Sequence, residues 1–243
     1  MLTVSEFKPH HQLASFIDTY WEVTSKEGGI SIDRVLPDGC VDVIVNLGED
    51  IQMDRTMLKS EKAYLGGAIT HFIKAEIKAE VHLVGVRFKP SAFSCFHAFS
   101  SLHETTNKFV ELSKSFTPSI NGLFSNISFA FDSFYHNRLI QPDHLLLPVV
   151  ETVKNYRGNI SVNKLADKHF TTVRQLERHF RYHIGLSPKE LLNIFRYKFA
   201  QHLILTSHPK KSLSDIAFEC GYYDQAHLGN EIKRYTGLAP TNL

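Results

Sequence analysis

The chain has 243 residues, 43% of them hydrophobic and 21% charged, with a net charge of +2; that is long for a single core, comfortable for two domains, and excludes a disordered chain. No apolar run approaches the roughly 20 residues of a membrane span, and the N-terminus, with Glu6 and Lys8 among scattered apolar residues, lacks the layout of a signal peptide. A cytoplasmic protein with no membrane partner is therefore expected. Cys40, Cys95 and Cys220 form no CxxC pair and have no paired histidines beside them, so buried thiols are expected and not disulfides or a zinc site.

The first half reads as β-rich with a few helices. Leu13, Phe16, Ile17 and Tyr20 suggest a short amphipathic helix leading into Trp21. After the turn signal Pro37-Asp38-Gly39, residues 41–46 alternate and are rich in β-branched side chains, as a half-buried strand should be. Residues 69–77 alternate again, and 81–88 (VHLVGVRF) have the look of a central strand with Gly85 inside it. Pro90 then opens a helical stretch carrying Phe93, Phe96, His97 and Phe99, and 120–139 form a second helix candidate.

Past Gln141 and Pro142 the signals change to short helices with tight turns, near 143–156, 161–168, 172–183, 188–206, 212–220 and 224–236. The punctuation is explicit: Gly158 as a stop, Ser161 as an N-cap, Gly185 as a C-terminal glycine, Ser187 and Pro188 as cap and first helical residue, Ser212 as an N-cap, Gly237 as a last stop. A linker is expected around 138–143. The charge divides at the same place. Residues 1–140 carry 13 Lys+Arg against 16 Asp+Glu, whereas 141–243 carry 14 against 9, an asymmetry that hints at a polyanion partner for the second part.

One pattern occurs twice. Leu165-Ala166, Leu176, Phe180, Gly185 and Pro188 are matched by Ile216-Ala217, Leu228, Ile232, Gly237 and Pro240. In each copy a helix ending in an apolar residue plus Ala is followed by a turn and a second helix, and the small Ala lets the two helices cross closely, as a helix-turn-helix requires. A single copy is a modest signal; two copies with shared landmarks are a stronger one. Between them, 188–206 make a helix of about 28 Å, and successive major-groove entries lie roughly 34 Å apart, so the connector can hold two helices over neighbouring grooves. On 172–183, Val173, Leu176, Phe180 and Ile184 form the core face, while Arg174, Glu177, Arg178 and Arg181 lie opposite. Arg can take guanine O6 and N7, and Glu can accept from cytosine N4; an ordinary solvated face with Arg–Glu pairs is the plain alternative.

The phrases Leu176-Glu-Arg-His-Phe180, Gly185-Leu-Ser-Pro188, Asp215-Ile-Ala-Phe-Glu-Cys-Gly-Tyr222, Asp224-Gln-Ala-His227 and Thr236-Gly-Leu-Ala-Pro240 make this region similar to the DNA-binding domain of the AraC/XylS family of bacterial transcription regulators. The resemblance implies an α+β protein: a β-rich, barrel- or sandwich-like N-terminal domain with flanking helices over 1–140, used for regulation or dimerisation. An all-α DNA-binding domain then follows over 141–243, with two helix-turn-helix motifs joined by one long helix. It maps base-reading positions onto Arg174, Glu177 and Arg178 in the first motif and onto Gln225, His227 and Asn230 in the second. Thr172, Arg181 and Lys233 complete the expected DNA surface, with Lys189, Lys210 and Lys211 as further phosphate contacts. Double-stranded DNA is the implied partner, joined by a small-molecule effector, a second copy of the chain, and RNA polymerase if the protein activates. No cofactor is implied. Two departures stand out: Phe170 occupies the turn position held by Gly221 in the second copy, where a positive φ is costly, so a different first turn is expected; and Leu228 and Ile232 stand where the family commonly has Phe.

The N-terminal half, especially residues 36–42 and 84–90, resembles a less characterised domain of such regulators. Its histidines, His10, His11, His71, His82, His97, His103 and His136, lack the close His-x-His spacing of a metal enzyme, so catalysis is not expected. A protein-interaction adaptor or a small-molecule enzyme fused to a DNA-binding domain remains the alternative. Arg87 and Trp21 read either as pocket-lining residues or as an edge salt bridge and a core aromatic.

Overall fold

The computed structural model describes residues 2–25, 31–77, 81–140, 146–207 and 210–243. Ten strands come first: β1 (Leu2–Phe7), β2 (Ile17–Ser25), β3 (Ser31–Val35), β4 (Val41–Asn46), β5 (Ile51–Met53), β6 (Thr56–Leu58), β7 (Ala63–Gly66), β8 (Ile73–Ile77), β9 (His82–Phe88) and β10 (Phe109–Leu112). They form an antiparallel six-stranded sheet in the order β1-β2-β9-β4-β7-β10 and a four-stranded one in the order β3-β8-β5-β6. Helices α1 (Ile120–Ser125) and α2 (Ile127–His136) follow, then α3 (Leu146–Asn155), α4 (Val162–Lys168), α5 (Val173–His183), α6 (Pro188–Ser207), α7 (Leu213–Glu219) and α8 (Gln225–Thr236). The expected α+β architecture is present, with a sandwich of two sheets at its N-terminal end. The expected linker at 138–143 and the start of the helix expected from 143 fall partly outside the described residues.

The large sheet is covered on both faces, which is why its strands read as nearly continuous apolar runs. Val43, Leu65, Val84, Val86 and Phe88 point to one side and share a core with α2 and the helical region. Ile44, Tyr64 and Leu83 point to the other and pack with Ile51, Met53, Leu58 and Ala75 of the small sheet. The same period-two alternation puts Asp42 and Arg87, paired across β4 and β9, on the inner face between the sheets.

Four expectations are corrected. Leu13–Tyr20 is a turn followed by β2, in which Ile17 and Tyr20 are buried; the aromatic and β-branched residues 17–24 pair along β9 and leave no helix. The stretch after Pro90 is helical only as a 3-10 turn at Phe93–Cys95, its rings instead filling the space beside α2. Alternation over 69–77 yields a strand only from Ile73. The second helix candidate is two helices, broken where Asn126 caps α2 by accepting from the Phe129 N–H at 2.9 Å.

In the helical region the expected segments appear to within a few residues because their caps are present. The Ser161 hydroxyl accepts from Lys164 N–H and that of Ser212 from Asp215 N–H. Ser187 and Glu190 cap α6 reciprocally, at 2.7 and 3.2 Å. Gly158 and Gly237 adopt left-handed φ of +72° and +75°, which glycine alone accepts without strain. A 3-10 turn at Pro240–Asn242 follows.

Candidate nucleic-acid interface and the cavity behind it

In the first motif, Leu165 and Ala166 of α4 are buried, and the Ala166 carbonyl accepts from Thr171 N–H at 3.1 Å. The second repeats this: Ile216 and Ala217 of α7 are buried, and the Ala217 carbonyl accepts from Tyr222 N–H at 2.9 Å. Both turns pass through a left-handed residue, Phe170 at φ +51° and Gly221 at φ +73°. The first turn therefore has the same local form as the second, against expectation, and a fully exposed Phe carries the strain. Thr172 then opens α5 with a capping box. Its hydroxyl accepts from Gln175 N–H at 3.2 Å, and the Gln175 side-chain oxygen accepts from Thr172 N–H at 3.4 Å. In the second copy Asp224 plays this part for α8, accepting from His227 N–H at 2.7 Å.

Leu176 and Phe180 of α5, and Leu228 and Ile232 of α8, are buried. All nine residues expected at the DNA surface, Thr172, Arg174, Glu177, Arg178, Arg181, Gln225, His227, Asn230 and Lys233, are exposed. The structure brings Arg174, Glu177, Arg178 and Arg181 together around a shallow depression that Gln175, absent from the sequence expectation, also lines. Among the described residues no side-chain hydrogen bond or ion pair holds Arg174, Glu177, Arg178, Asn230 or Lys233. Gln225 and His227 are tied down: the first accepts from the Ser214 hydroxyl at 3.1 Å, and the second packs its ring edge-on to Tyr222 at 5.2 Å with Nδ1 facing Tyr223 N–H. Lys211 is paired with Glu219.

Arg181 is engaged from the other half of the chain. The Gly185 carbonyl, which closes α5, accepts from the Thr106 hydroxyl at 2.6 Å and from His103 Nδ1 at 3.2 Å. A carbonyl oxygen only accepts, so His103 carries its proton on Nδ1 and offers the Nε2 lone pair to Arg181 Nη1, 3.1 Å away. The Tyr182 hydroxyl donates to Phe99 O at 3.2 Å, and the Ser101 hydroxyl to Arg181 O at 3.5 Å. The segment 99–106 thus grips the C-terminal end of α5. Nothing in the local sequence announces this contact, since its partners lie about 80 residues apart.

Behind the grip, between the two sheets, lies a cavity of about 220 Å³. Its walls are mostly apolar, from Val23, Ile44, Met53, Ile73, Leu83 and Phe109, and Trp21, Asp38, Asp42 and Arg87 form a polar end. The Trp21 ring lies flat over Gly85, where a Cβ would come within 2.3 Å of it. Its indole N–H donates to Asp42 Oδ1 at 2.8 Å, and Arg87 Nε sits 3.2 Å from Asp42 and 3.4 Å from Asp38. The pocket reading of Arg87 and Trp21 holds; the ion pair of Arg87 lies across the central strands β4 and β9 and not at a sheet edge, and Trp21 is only partly buried. Burial holds the Asp42 carboxyl up at about 6, outweighing the pull of Arg87. The visible signal was a charged residue at an inward position of each of two apolar strands. From the cavity wall one contact runs to the gripping segment 99–106 and another to α6. Gly67 abuts the Thr105 carbonyl, where a Cβ would approach to 2.0 Å, and Gly39, next to Asp38, would bring a Cβ within 2.5 Å of Leu191 on α6.

Residues 165–243 match a helix-turn-helix domain family, and residues 5–111 match a domain of unknown function, DUF6597. The transcriptional activator RhaS of Escherichia fergusonii is 33% identical over 84 residues, 35% of this chain and 30% of that protein. RhaS of Enterobacter sp. strain 638 is 30% identical over 89 residues, 37% of this chain and 31% of the relative. The chain thus spans about a third of the length of the curated relatives it matches. Among solved structures, ToxT of Vibrio cholerae has the same fold, with a TM-score of 0.53 at 13% identity, covering 100% of this chain and 96% of that one. The duplicated helix-turn-helix at residues 165–243 is thus similar to that of the RhaS activators, and the chain as a whole has the fold of ToxT.

Proposed function

We propose that the protein is a sequence-specific transcription regulator that binds double-stranded DNA through residues 141–243 and is controlled through residues 1–140. The observation that carries this reading is the repeated helix-turn-helix whose outer faces hold polar and cationic side chains without protein partners. Arg174, Glu177 and Arg178 are assigned to base edges in one major groove, and Asn230, flanked by Gln225 and His227, to the next. Thr172, Lys233, Lys189 and Lys210 are assigned to phosphates, and Arg181 joins them once released from His103. Regulation through 1–140 is supported by the grip of 99–106 on α5 and by the cavity wall that abuts it. The named relatives are transcriptional activators, which supports a non-enzymatic role on DNA in the cytoplasm.

A genomic-DNA pull-down with the full chain, followed by affinity measurements on the recovered site, tests the proposal. Each phosphate contact contributes about −0.9 to the slope of log K against log salt, so several contacts give a steep negative slope. A slope near zero, or no enriched site, overturns it.

A further inference from the structure

We propose that the inter-sheet cavity binds an apolar organic cation, an aryl-alkyl molecule ending in a protonated amine or quaternary ammonium. The inference rests on the reading of residues 1–140 as the regulatory part, and it names the ligand class that part would sense.

Size and wall chemistry set the body of the ligand. At about 220 Å³ the space exceeds the roughly 150 Å³ that admits benzene, and its sides are aliphatic apart from Trp21 and Phe109. Charge sets the head. Three carboxylates, Glu6, Asp38 and Asp42, line the cavity against one guanidinium, Arg87. Arg87 is already shared between two of them through Nε, and the Cys40 N–H and the Trp21 indole N–H, which also stabilise the aspartates, carry no net charge. An incoming carboxylate would have to settle beside three others with no uncommitted cation to receive it. A cation instead relieves the surplus and meets an indole face, the aromatic surface that attracts cations most strongly. Glu6 stands directly opposite Trp21 in the β1–β2 pairing, so a head group over the ring has a carboxylate on the exposed edge strand as well. Burial is what chiefly raises the Asp42 carboxyl, with Asp38 adding to it against the pull of Arg87.

Trp21 is the only tryptophan in the chain, so its fluorescence reports this site directly. The full-length protein is titrated with 4-phenylbutylamine, 4-phenylbutanoate and 4-phenylbutanol, which share a body and differ in the head. The amine is expected to change Trp21 emission saturably, with a Kd at least tenfold below that of the carboxylate and below that of the alcohol. Asp38→Asn with Glu6→Gln should erase most of that preference. Val23→Phe, which fills the cavity without touching a charge, should abolish binding of all three, and circular dichroism with site-specific DNA binding verifies that each variant is folded. Tighter or equal binding of the carboxylate, equal binding of all three, or no saturable response to any overturns the inference. Should DNA binding be intact while the amine fails, the ligand class is wrong and the regulator reading stands; amine binding without DNA binding has the converse meaning.

Discussion

Two residues show how chemistry illegible in a linear sequence becomes decisive in the fold. His97 is 7% exposed and sits among Phe88, Phe93, Phe116 and Tyr135, with Nε2 unpartnered. Burial, aided by Arg138, lowers its pKa from 6.5 to about 4. A depressed folded-state pKa means that the stability contributed by neutral His97 is fully present above pH 6.5 and is lost as the pH falls toward 4. At 1.36 kcal/mol per unit the loss at pH 4.5 is about 2–3 kcal/mol. Asp42 works in the opposite direction, its raised carboxyl favouring the folded state as the pH drops below about 6. The difference between wild type and His97→Phe therefore isolates the histidine: urea unfolding at pH 7 and 4.5 should show the variant losing about 2–3 kcal/mol less, and equal losses would refute the assignment. Phe170 was legible as a misfit but not in its consequence. The chain keeps the turn and accepts the strain, with the ring 99% exposed and nothing packed on it. Left-handed φ costs a non-glycine residue roughly 1–2 kcal/mol, and glycine returns part of that to the unfolded chain. Phe170→Gly should raise stability by about 0.5–1 kcal/mol, read as the urea midpoint; a fall would show that the ring contributes in the folded state.

At the scale of elements, the helices of the second half were legible because each is bounded by residues whose capping chemistry is local: Ser161, Thr172, Ser212, Asp224 and Gly237 all act within four positions of themselves. The first half was less so. A sheet covered on both faces has no clean alternation, and the aromatic spacing of 93–99 or 13–20 suits a helix as well as a turn or strand packed by distant partners. The two helices proposed to face DNA also divide their roles legibly. On α5 two arginines and a glutamate stand free, whereas on α8 Gln225 and His227 are engaged by α7 and the turn, which leaves Asn230 as its one unengaged base-edge reader. Arg174→Ala or Arg178→Ala should each cost about 1–3 kcal/mol of specific binding and relax the preference at one base position, with Asn230→Ala changing the preferred sequence less; a randomised-site selection in which Asn230→Ala shifts it more reverses the ranking. Gly229 adds a second test on α8. A Cβ there would meet nothing nearer than Pro240 Cγ at 4.0 Å, so no contact inside the protein requires a glycine. Gly229→Ala should stabilise the fold by about 1 kcal/mol while weakening binding to the specific site, because the unfilled backbone is kept for close approach to DNA; unchanged affinity removes that reason.

For the whole molecule, the question is what the β-rich part does to the part proposed to bind DNA, and Arg181 is where the two meet. By helical spacing it belongs with Arg174 and Arg178, and the sequence alone assigns it to DNA. In the structure its guanidinium donates to His103 Nε2 at 3.1 Å while His103 Nδ1 and the Thr106 hydroxyl hold the Gly185 carbonyl. The hydrogen bond to His103 uses one N–H of Nη1 and fixes where the guanidinium sits, so the expectation to test is that docking of the 99–106 segment holds this cation away from a phosphate. His103→Ala removes the acceptor and leaves Thr106 to hold Gly185, so α5 stays capped. Freed Arg181 then adds one phosphate contact: affinity should rise severalfold at low salt, and the salt slope should steepen by about 0.9. Arg181→Ala should leave the wild-type slope almost unchanged, and in the His103→Ala background it should cancel the gain, since both changes act through one side chain and are not additive. Filter-binding or anisotropy titrations across a salt series with these four proteins, wild type, each single variant and the double, measure all the terms. If His103→Ala leaves the slope where it was, Arg181 does not reach the backbone even when free, and the grip positions α5 without withholding charge from it.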